Sequence, residues 1–312
     1  MKETSAPHAT PAIPSQHGGA GTLWVVATPL GHLDDLSPRA RSALENASLV
    51  AAEDTRITRR LVPHRKDQRW VSVNEHSEAG LIEEITDYLL AGDDVCLVSD
   101  AGTPLISDPG YRLVSAAHDK GIKVSPVPGP CAAIAALSVA GLASDRFFFE
   151  GFLPARSTAR QARLRELASV EPTLIFYVPA RDLVKVLSDM RESLGANRQV
   201  TLAREITKQF ETIKRDSIEA LRAWVEADPD QCRGEAVLVV QGVSEPEPMI
   251  SPHVLAEALK EALPPSQAAR LLGRVSGLSR QQAWQWIQGS DRASVAEHQR
   301  SAAQPADGDF SE

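Results

Sequence analysis

The sequence VCLVSDAGTPLISDPG, from Val95 to Gly110, decides the fold because it changes character halfway along. It begins as an apolar, β-prone run and continues with glycine, proline, serine and aspartate, which predicts a buried strand followed by a long loop. The pattern DPGYRLVSAAHDKG overlaps the end of this stretch and predicts a helix from Asp108 that ends at Gly121. The loop has neither the lysine of a P-loop nor the GxGxxG spacing of a dinucleotide site, which argues against both kinds of nucleotide site.

The same alternation extends from this stretch over residues 22–128. Short β-prone runs such as TLWVVA, SLVAAE and IKVSPVP alternate with the helical patterns SPRARSALENA and SEAGLIEEITDYLLAG. Strands that alternate with helices predict βαβ units, and therefore an α/β domain with a mostly parallel sheet.

A second α/β domain is predicted over residues 129–244, where the composition changes. The aromatic-rich DRFFFEGFLP lies near its start, and VTLAREITKQFETIK has the pattern of two adjacent strands with a tight connection. Such a connection favours antiparallel pairing, so this sheet is predicted to be mixed. Helical patterns over residues 251–289 predict a small C-terminal helical appendage, whereas residues 1–21 and 290–312 are predicted to be a disordered leader and tail.

Composition narrows the class of protein. The 312 residues carry a formal net charge of −8, which argues against a nucleic-acid coat protein but allows a local basic face. The chain has no apolar run of about 18 residues and no apolar h-region near its start, so neither a membrane span nor a secretory signal is predicted. Three scattered cysteines predict a reduced, cytoplasmic setting, and the histidines lack paired spacing, so no metal site is predicted.

Two loops that follow strands of the first predicted sheet carry the candidate ligand site. They lie in VVATPLGHLDDLS, from Val25 to Ser37, and in the opening stretch. Open parallel sheets bind ligands beyond the carboxyl ends of their strands, and glycine lets the backbone approach a ligand closely. The alternative is that these are turn residues only, but two such loops in one domain favour a ligand. The candidate cofactor-binding residues are Thr28, Pro29, Gly31, Ser99, Asp100, Ala101, Gly102, Thr103 and Pro104.

Several motifs together resemble one known family. The segments TPLGHLDDLSPRA, AAEDTRITRRL, LVSDAGTPLISDPGYRLV and LAREITKQFET are similar, in order and in spacing, to the small-subunit rRNA (cytidine-2′-O)-methyltransferases of the tetrapyrrole methylase superfamily. The resemblance runs from about Leu23 to Gln288. The chain departs from the family pattern where ATPLGHL replaces PTPIGNL and where FYVPARDL replaces FYESPHRL.

The resemblance implies two α/β domains with S-adenosylmethionine in the cleft between them. The implied reaction is methyl transfer to the ribose 2′-OH of a cytidine in 16S rRNA, expected at cytidine 1402 of the 30S subunit. The implied assembly is a homodimer. S-adenosylmethionine carries a sulfonium, a carboxylate and an adenosine, so it needs backbone donors and small residues rather than a phosphate cradle, and the two loops supply these.

A cluster of charged residues follows another predicted strand. AAEDTRITRR places Glu53, Asp54 and Arg56 at the edge of the sheet where the candidate loops lie. A ribose 2′-OH is a weak acid, so a carboxylate there can orient or deprotonate it while the guanidinium holds a phosphate. These three are the candidate catalytic residues. Asp54 is explained equally well as a helix N-cap, with Arg56 as its ion-pair partner.

The sequence contains further residues that are candidates for contact with RNA. Four arginines lie within ten positions, with no acidic residue among them before Glu166. The candidate RNA-binding residues are these four, Arg156, Arg160, Arg163 and Arg165; the alternative is a solvated helix face. Trp284 and Trp286 are two positions apart and cannot share a helix face well, so one is predicted in the core and the other at an interface or on RNA. Lys208 with Glu205 and Glu211 forms either hairpin ion pairs or part of an RNA surface, and both alternatives stay open.

Two other functions compete with RNA methylation. A C-methyltransferase acting on a tetrapyrrole would use the same cleft, but the arginine run and the helical appendage argue against it. A nucleic-acid-binding protein that senses a nucleoside is the second alternative, and the carboxylate–arginine cluster at Glu53–Arg56 argues against that one.

Overall fold

The computed structural model describes residues 19–63, 65–73, 77–243, 252–276 and 278–288. The chain forms two compact units, Met1–Val243 and Ser244–Glu312. Residues 1–18 of the predicted leader and all of the predicted tail lie outside the described residues.

Within the described residues, the first sheet consists of β1 (Thr22–Val26), β2 (Leu49–Ala52), β3 (Arg69–Ser72), β4 (Val95–Val98) and β5 (Lys123–Val127). The strand order is β3-β2-β4-β1-β5, and every pairing is parallel. The connecting helices are α1 (Pro38–Asn46), α2 (Thr55–Thr58), α3 (Glu78–Leu90) and α4 (Tyr111–Asp119), with a short 3-10 helix at Leu33–Asp35. The predicted parallel α/β arrangement is confirmed.

Apolar side chains cover both faces of this sheet. On one face Leu49 and Leu97 pack against Ile85 of α3 and Leu113 of α4. On the other face the core continues from the strands to α1, whose Leu44 is fully buried. Burial on both faces explains why β4 is a continuous apolar run instead of an alternating one.

The second sheet consists of β6 (Phe147–Phe152), β7 (Thr173–Pro179), β8 (Gln199–Arg204), β9 (Thr212–Ser217) and β10 (Glu235–Val240). Its order is β6-β7-β10-β8-β9; β6 and β7 are parallel and the other pairs are antiparallel, so the predicted mixed sheet is confirmed. Its helices are α6 (Ser157–Leu167), α7 (Leu183–Leu194) and α8 (Ile218–Ala227), with 3-10 turns at Ala180–Asp182 and Pro229–Cys232.

Helix α5 (Ala132–Val139) follows the first sheet but packs on the second. Its Ala133 and Ala136 lie against Ile175 of β7 and Val237 of β10, while α6, α7 and α8 cover the opposite face of that sheet. Small side chains on α5 allow a close approach to the strands. The second sheet is therefore held between helices, with its strand ends beside the loops of the first sheet.

The C-terminal unit contains α9 (Pro252–Ala262), α10 (Pro265–Ser276) and α11 (Arg280–Gln288). Its buried residues are mostly alanines, joined by Leu272 and Ile287. A Cβ on Gly273 would lie 3.1 Å from the Leu278 carbonyl oxygen, so α10 runs close to the chain that enters α11. Trp286 packs against this core and Trp284 is 40% exposed, which agrees with the predicted division of the two tryptophans. Among the described residues, the helices are all too short or too polar to cross a membrane.

Candidate active site

A cleft of about 380 Å³ opens where the two sheets of the first unit meet. One wall is the loop after β4, from Ala101 to Asp108, together with the start of α5. The other wall contains the ends of β7 and β8 and the beginning of β10. Because β10 runs antiparallel to β7 and β8, its first residues lie beside the last residues of those strands.

The two predicted ligand loops meet at the base of the cleft. Thr28 and Gly102 exchange backbone hydrogen bonds of 2.8 and 3.0 Å. The buried Thr28 hydroxyl also donates to the Ser99 carbonyl oxygen at 3.3 Å. The first loop reaches across to the second sheet, where the His32 backbone N–H donates to the Thr207 hydroxyl at 3.1 Å. The loops therefore join the first sheet to the 205–208 segment that lines the opposite wall.

Only part of the predicted cofactor set faces the cleft. Ala101, Gly102 and Thr103 line it. The remaining six are not part of its lining, and Thr28 and Pro29 are buried behind it. These six are Thr28, Pro29, Gly31, Ser99, Asp100 and Pro104.

Strained backbone concentrates in the two loops that flank the cleft. Within the described residues, the non-glycine residues with positive φ are Leu105, Ser107, Glu205 and Thr207, at 72°, 69°, 52° and 64°. Each such conformation costs on the order of 1–3 kcal/mol and persists where the surroundings over-determine it. Strain of this kind is typical of ligand-binding and catalytic loops, and here it marks both walls.

Carboxylates gather at the ends of β2 and β4. The Asp54 N–H donates to Asp100 Oδ1 at 2.8 Å, and the Asp100 N–H lies 3.4 Å from Glu53 Oε2. Burial raises the pKa of Glu53 and of Asp100 above their ordinary values, and their mutual repulsion raises that of Glu53 further. Burial, with repulsion from Glu53 and Asp100, also raises the pKa of Asp108 to about 6, although the Ser99 hydroxyl opposes the shift. Of the three carboxylates only Asp108 lines the cleft, and with Glu53 and Asp100 behind the wall this side of the cleft favours a cation.

Asp108 lines the cleft but is absent from the residues predicted from sequence. It lies in the DPG of the opening stretch, where the residues have the pattern of a helix start. Tyr177 is a second lining residue that the sequence analysis missed; its hydroxyl oxygen accepts a hydrogen bond from the Ala133 N–H at 3.2 Å. Tyr177 lies in FYVPARDL, but in the FY that this segment shares with the family pattern FYESPHRL, so the departure that follows it did not single it out.

The three predicted catalytic residues divide into two groups. Asp54 caps α2 by accepting from the Arg56 N–H at 2.8 Å, and its carboxylate pairs with the Arg56 guanidinium at 2.6 Å. Hydrogen bonds from Arg56 lower the pKa of Asp54 to about 2. This is the geometry of the N-cap alternative. Glu53 instead contacts Asp100, whose neighbour Ala101 lines the cleft.

The four predicted RNA-binding arginines also divide. Arg160 is buried and paired with Asp189 at 2.6 Å, and it donates to two backbone carbonyls. Arg163 bridges Glu150 and Glu166 at 2.7 Å each. Arg156 and Arg165 are exposed. Because Arg160 is enclosed and Arg163 is bonded to two carboxylates, the RNA prediction rests on Arg156 and Arg165.

Lys208 follows the ion-pair alternative with Glu205, but its second carboxylate partner is Glu235 and not Glu211. Lys208 Nζ lies 2.9 Å from Glu205 Oε1 and 2.9 Å from Glu235 Oε2, and Glu211 accepts from the Thr207 N–H at 2.7 Å. Burial lowers the pKa of Lys208, but the two carboxylates outweigh burial and raise it overall. Within the described residues, no group of three histidine, cysteine or acidic side chains has the geometry of a metal site.

Comparison with known proteins gives the family. Residues 22–222 match the tetrapyrrole (corrin/porphyrin) methylases. The "Ribosomal RNA small subunit methyltransferase I" of Xylella fastidiosa (strain Temecula1) is 47% identical over 83% of this chain and 96% of its own length. The protein of the same name from Pseudomonas aeruginosa is 48% identical over 83% of this chain and 94% of its own.

Solved structures share the fold at lower identity. The methyltransferase CobJ has a TM-score of 0.55 at 20% identity, over 72% of this chain and 95% of its own. The uroporphyrin-III C-methyltransferase of Thermus thermophilus, complexed with S-adenosyl homocysteine, has a TM-score of 0.51 at 20% identity, over 71% of this chain and 97% of its own. The chain belongs to the tetrapyrrole methylase family, and its relatives include the small-subunit rRNA methyltransferases I.

Proposed function

We propose that this protein transfers a methyl group from S-adenosylmethionine to the ribose 2′-OH of a cytidine in 16S rRNA, expected at cytidine 1402 of the 30S subunit. One observation carries the proposal. The chain spans 94–96% of relatives named as small-subunit rRNA methyltransferases, at 47–48% identity. The tetrapyrrole methyltransferases among the solved structures share the fold at only 20% identity, so they favour a tetrapyrrole substrate less strongly.

The cleft fits the proposed cofactor in size and in charge. Its volume of about 380 Å³ lies in the usual range for small-molecule sites, about 300–1,000 Å³. Gly102, with φ +83°, and Thr103 present backbone and a small side chain, while Asp108 presents a carboxylate. When bound, S-adenosylmethionine supplies an electrophilic methyl on a sulfonium cation. A half-buried carboxylate corner is a suitable neighbour for that cation.

The chain's own contribution to the reaction is positioning and proton removal. Glu53 is the strongest of the three proposed catalytic residues because it is joined through Asp100 to the cleft wall. Its raised pKa makes the ionised form a better proton acceptor than an ordinary glutamate. The exposed guanidinium of Arg56, held in place by Asp54, can contact a phosphate beside the reacting ribose. Alignment alone supplies much of the rate when the methyl donor is already reactive.

The family resemblance also implies a homodimer in the cytoplasm. We include both in the proposal, and sedimentation of the purified chain tests the dimer. Arg156 and Arg165 are the proposed phosphate contacts of the first unit.

A methyl-transfer assay separates the candidate functions. Radiolabelled S-adenosylmethionine is incubated with unmethylated 30S subunits, with naked 16S rRNA, or with uroporphyrinogen. We expect label in rRNA, recovered after nuclease digestion as 2′-O-methylcytidine. Label in the tetrapyrrole alone would overturn the proposal in favour of a C-methyltransferase. Cofactor binding without transfer to any of the three would favour the nucleoside-sensing protein.

A further inference from the structure

The C-terminal unit contains a groove between α10 and α11 that the proposed chemistry does not use. Its volume is about 900 Å³, and its lining includes Arg270, Arg274, Arg280 and Trp284. The two arginines of α10 are four residues apart, as are Arg280 and Trp284 on α11. Residues four apart share a helix face, so each helix presents a row of two large side chains to the groove.

Folding of the unit does not account for these arginines. Within the described residues, none of the three forms a salt bridge. The sequence from Ala262 to Gln288 contains no aspartate or glutamate, in a chain whose net charge is −8. Arg280 also occupies the first turn of α11, where the positive end of the helix dipole disfavours a cation. A local, unneutralised positive charge therefore remains at this groove.

The tryptophan gives a second and independent observation. Trp286 packs against the core of the unit, whereas Trp284 is 40% exposed on the groove. Its indole is held on a helix, one turn from Arg280. An exposed aromatic face beside arginines is the combination with which proteins bind unpaired nucleotides, because bases stack on the ring and phosphates contact the guanidinium groups.

We propose that this groove binds single-stranded or loop RNA, with a base stacked on Trp284 and phosphates held by Arg270, Arg274 and Arg280. The inference rests on the proposed function in one respect, since it takes RNA as the substrate. It adds a docking surface in the C-terminal unit to the reaction cleft in the first. The groove then contributes to RNA affinity and leaves the chemistry of methyl transfer to the cleft.

The test measures RNA binding by the full-length protein across a range of salt concentrations. The probe is a labelled 16S rRNA fragment that contains the target cytidine. Replacing all three arginines by glutamine should lower the salt slope by about two units, at about 0.7 per contact to single-stranded RNA. The matched control replaces the same three by lysine, which keeps the charge and should keep most of the slope. Single Arg→Gln variants give the same measurement in smaller steps should the triple variant fail to fold.

The stacking contact has its own pair of variants. Trp284→Ala should weaken RNA binding about tenfold, since stacking a base on an aromatic side chain is worth about 1–3 kcal/mol. Trp284→Phe keeps an aromatic face and should retain most of the affinity. Loss of affinity in both variants to the same extent would contradict stacking.

Two further measurements separate this inference from the proposed function. Cofactor affinity and the single-turnover rate at saturating RNA should be unchanged in every groove variant. If the parent protein transfers no methyl group to RNA, the proposed function fails. If the parent does so but the triple glutamine variant keeps the parental salt slope and KM for RNA, the groove proposal is wrong.

Discussion

Two clusters of charge in the first unit differ in how the fold neutralises them. On α6 and α7, Arg160 is buried against Asp189 at 2.6 Å, and Arg163 is bonded to Glu150. At the ends of β2 and β4, the carboxylates of Glu53, Asp100 and Asp108 gather instead, and within the described residues none of them forms a salt bridge. The first cluster is balanced inside the protein, whereas no cation is bonded to the carboxylates of the second in the part of the chain that the structure describes.

This difference distinguishes charged side chains that stabilise the fold from charged side chains that are available to a ligand. A buried ion pair with satisfied hydrogen bonds holds elements together, and breaking it leaves an uncompensated charge. Half-buried carboxylates without a cationic partner have raised pKa values and oppose folding, so a bound cation stabilises them. We infer that Arg160 and Arg163 support the fold, while the carboxylates of Glu53, Asp100 and Asp108 serve the ligand.

The largest expected effect comes from breaking the balanced cluster. Arg160→Ala should lower the free energy of unfolding by about 3–5 kcal/mol, because Asp189 is left buried without its cationic partner and keeps only the hydrogen bonds from Ser157 and Gln161. Urea unfolding of the purified chain measures this. Arg165→Ala on the same helix is the matched control, since Arg165 is exposed and its loss should change stability little. Equal stability of the two variants would contradict the division drawn between the arginines.

The division of the α6 arginines shows what the sequence could not supply. The run of four arginines is visible in the sequence, but Asp189 lies 29 residues beyond Arg160 and joins it only when α7 packs on α6. Local spacing carries no information about a partner that tertiary packing delivers. The alternation of strands and helices, by contrast, is a local pattern, and it predicted both sheets correctly.

The residues that line the cleft also show that local sequence patterns do not reveal contacts made by tertiary packing. The glycine and threonine loops were predicted because strand ends in one parallel sheet must share an edge. Asp108 and Tyr177 were missed: Asp108 lies in a segment with a helix-start pattern, and Tyr177 comes from another sheet. The N-cap role of Asp54 was foreseen as an alternative, because capping is a local interaction.

The next largest effect is expected on the rate of methyl transfer, when the charged residues at the end of β2 are replaced. Glu53→Gln should lower the single-turnover rate on 30S subunits about a hundredfold at saturating cofactor, because a positioned proton acceptor is removed. Its stability should not fall, because no salt bridge is lost. Asp54→Asn and Arg56→Ala should also slow transfer, but by less, because their pairing with each other accounts for part of their role. Parental rates in all three would make the cluster structural.

A backbone variant shows whether the cleft acts through shape as well as charge. Gly102 has φ +83°, and a Cβ there would lie 3.2 Å from Leu30 Cδ2 on the cleft wall. Gly121 has φ +68° with nothing within 4 Å of its Cβ position. Alanine at either site should cost roughly 1–2 kcal/mol of stability, as expected of left-handed backbone. Only Gly102→Ala should also weaken S-adenosylmethionine binding, measured by calorimetry, and equal affinities would remove Gly102 from the proposed pocket.

A smaller effect is expected in how the stability of the protein changes with pH, because Asp108 titrates at different pH values in the folded and unfolded states. Its pKa of about 6 in the folded state exceeds the ordinary value of 3.8, so the folded protein binds the extra proton between these pH values. The stability that this proton contributes is fully present below about pH 4 and is lost as the pH rises through about 6. Asp108→Asn should flatten this slope in urea unfolding at a series of pH values. Cofactor affinity of the parent should rise over the same window as Asp108 ionises, and the asparagine variant should lack that rise.

The smallest effect concerns the two arginines that α6 leaves exposed. Arg156→Gln with Arg165→Gln should lower the salt slope of RNA binding by about 1.4 units if both contact phosphate, at about 0.7 per contact to single-stranded RNA. The lysine double variant keeps the charge and should keep the slope, which separates phosphate attraction from loss of helix packing. Arg160 is left unchanged because its loss would destabilise the packing of α6 on α7 and obscure the measurement. An unchanged slope in the glutamine variant would mean that α6 presents only a solvated face. The positive charge that contacts RNA would then come from elsewhere in the chain, and the next candidates are the three arginines of the C-terminal groove, which form no salt bridge with any described residue.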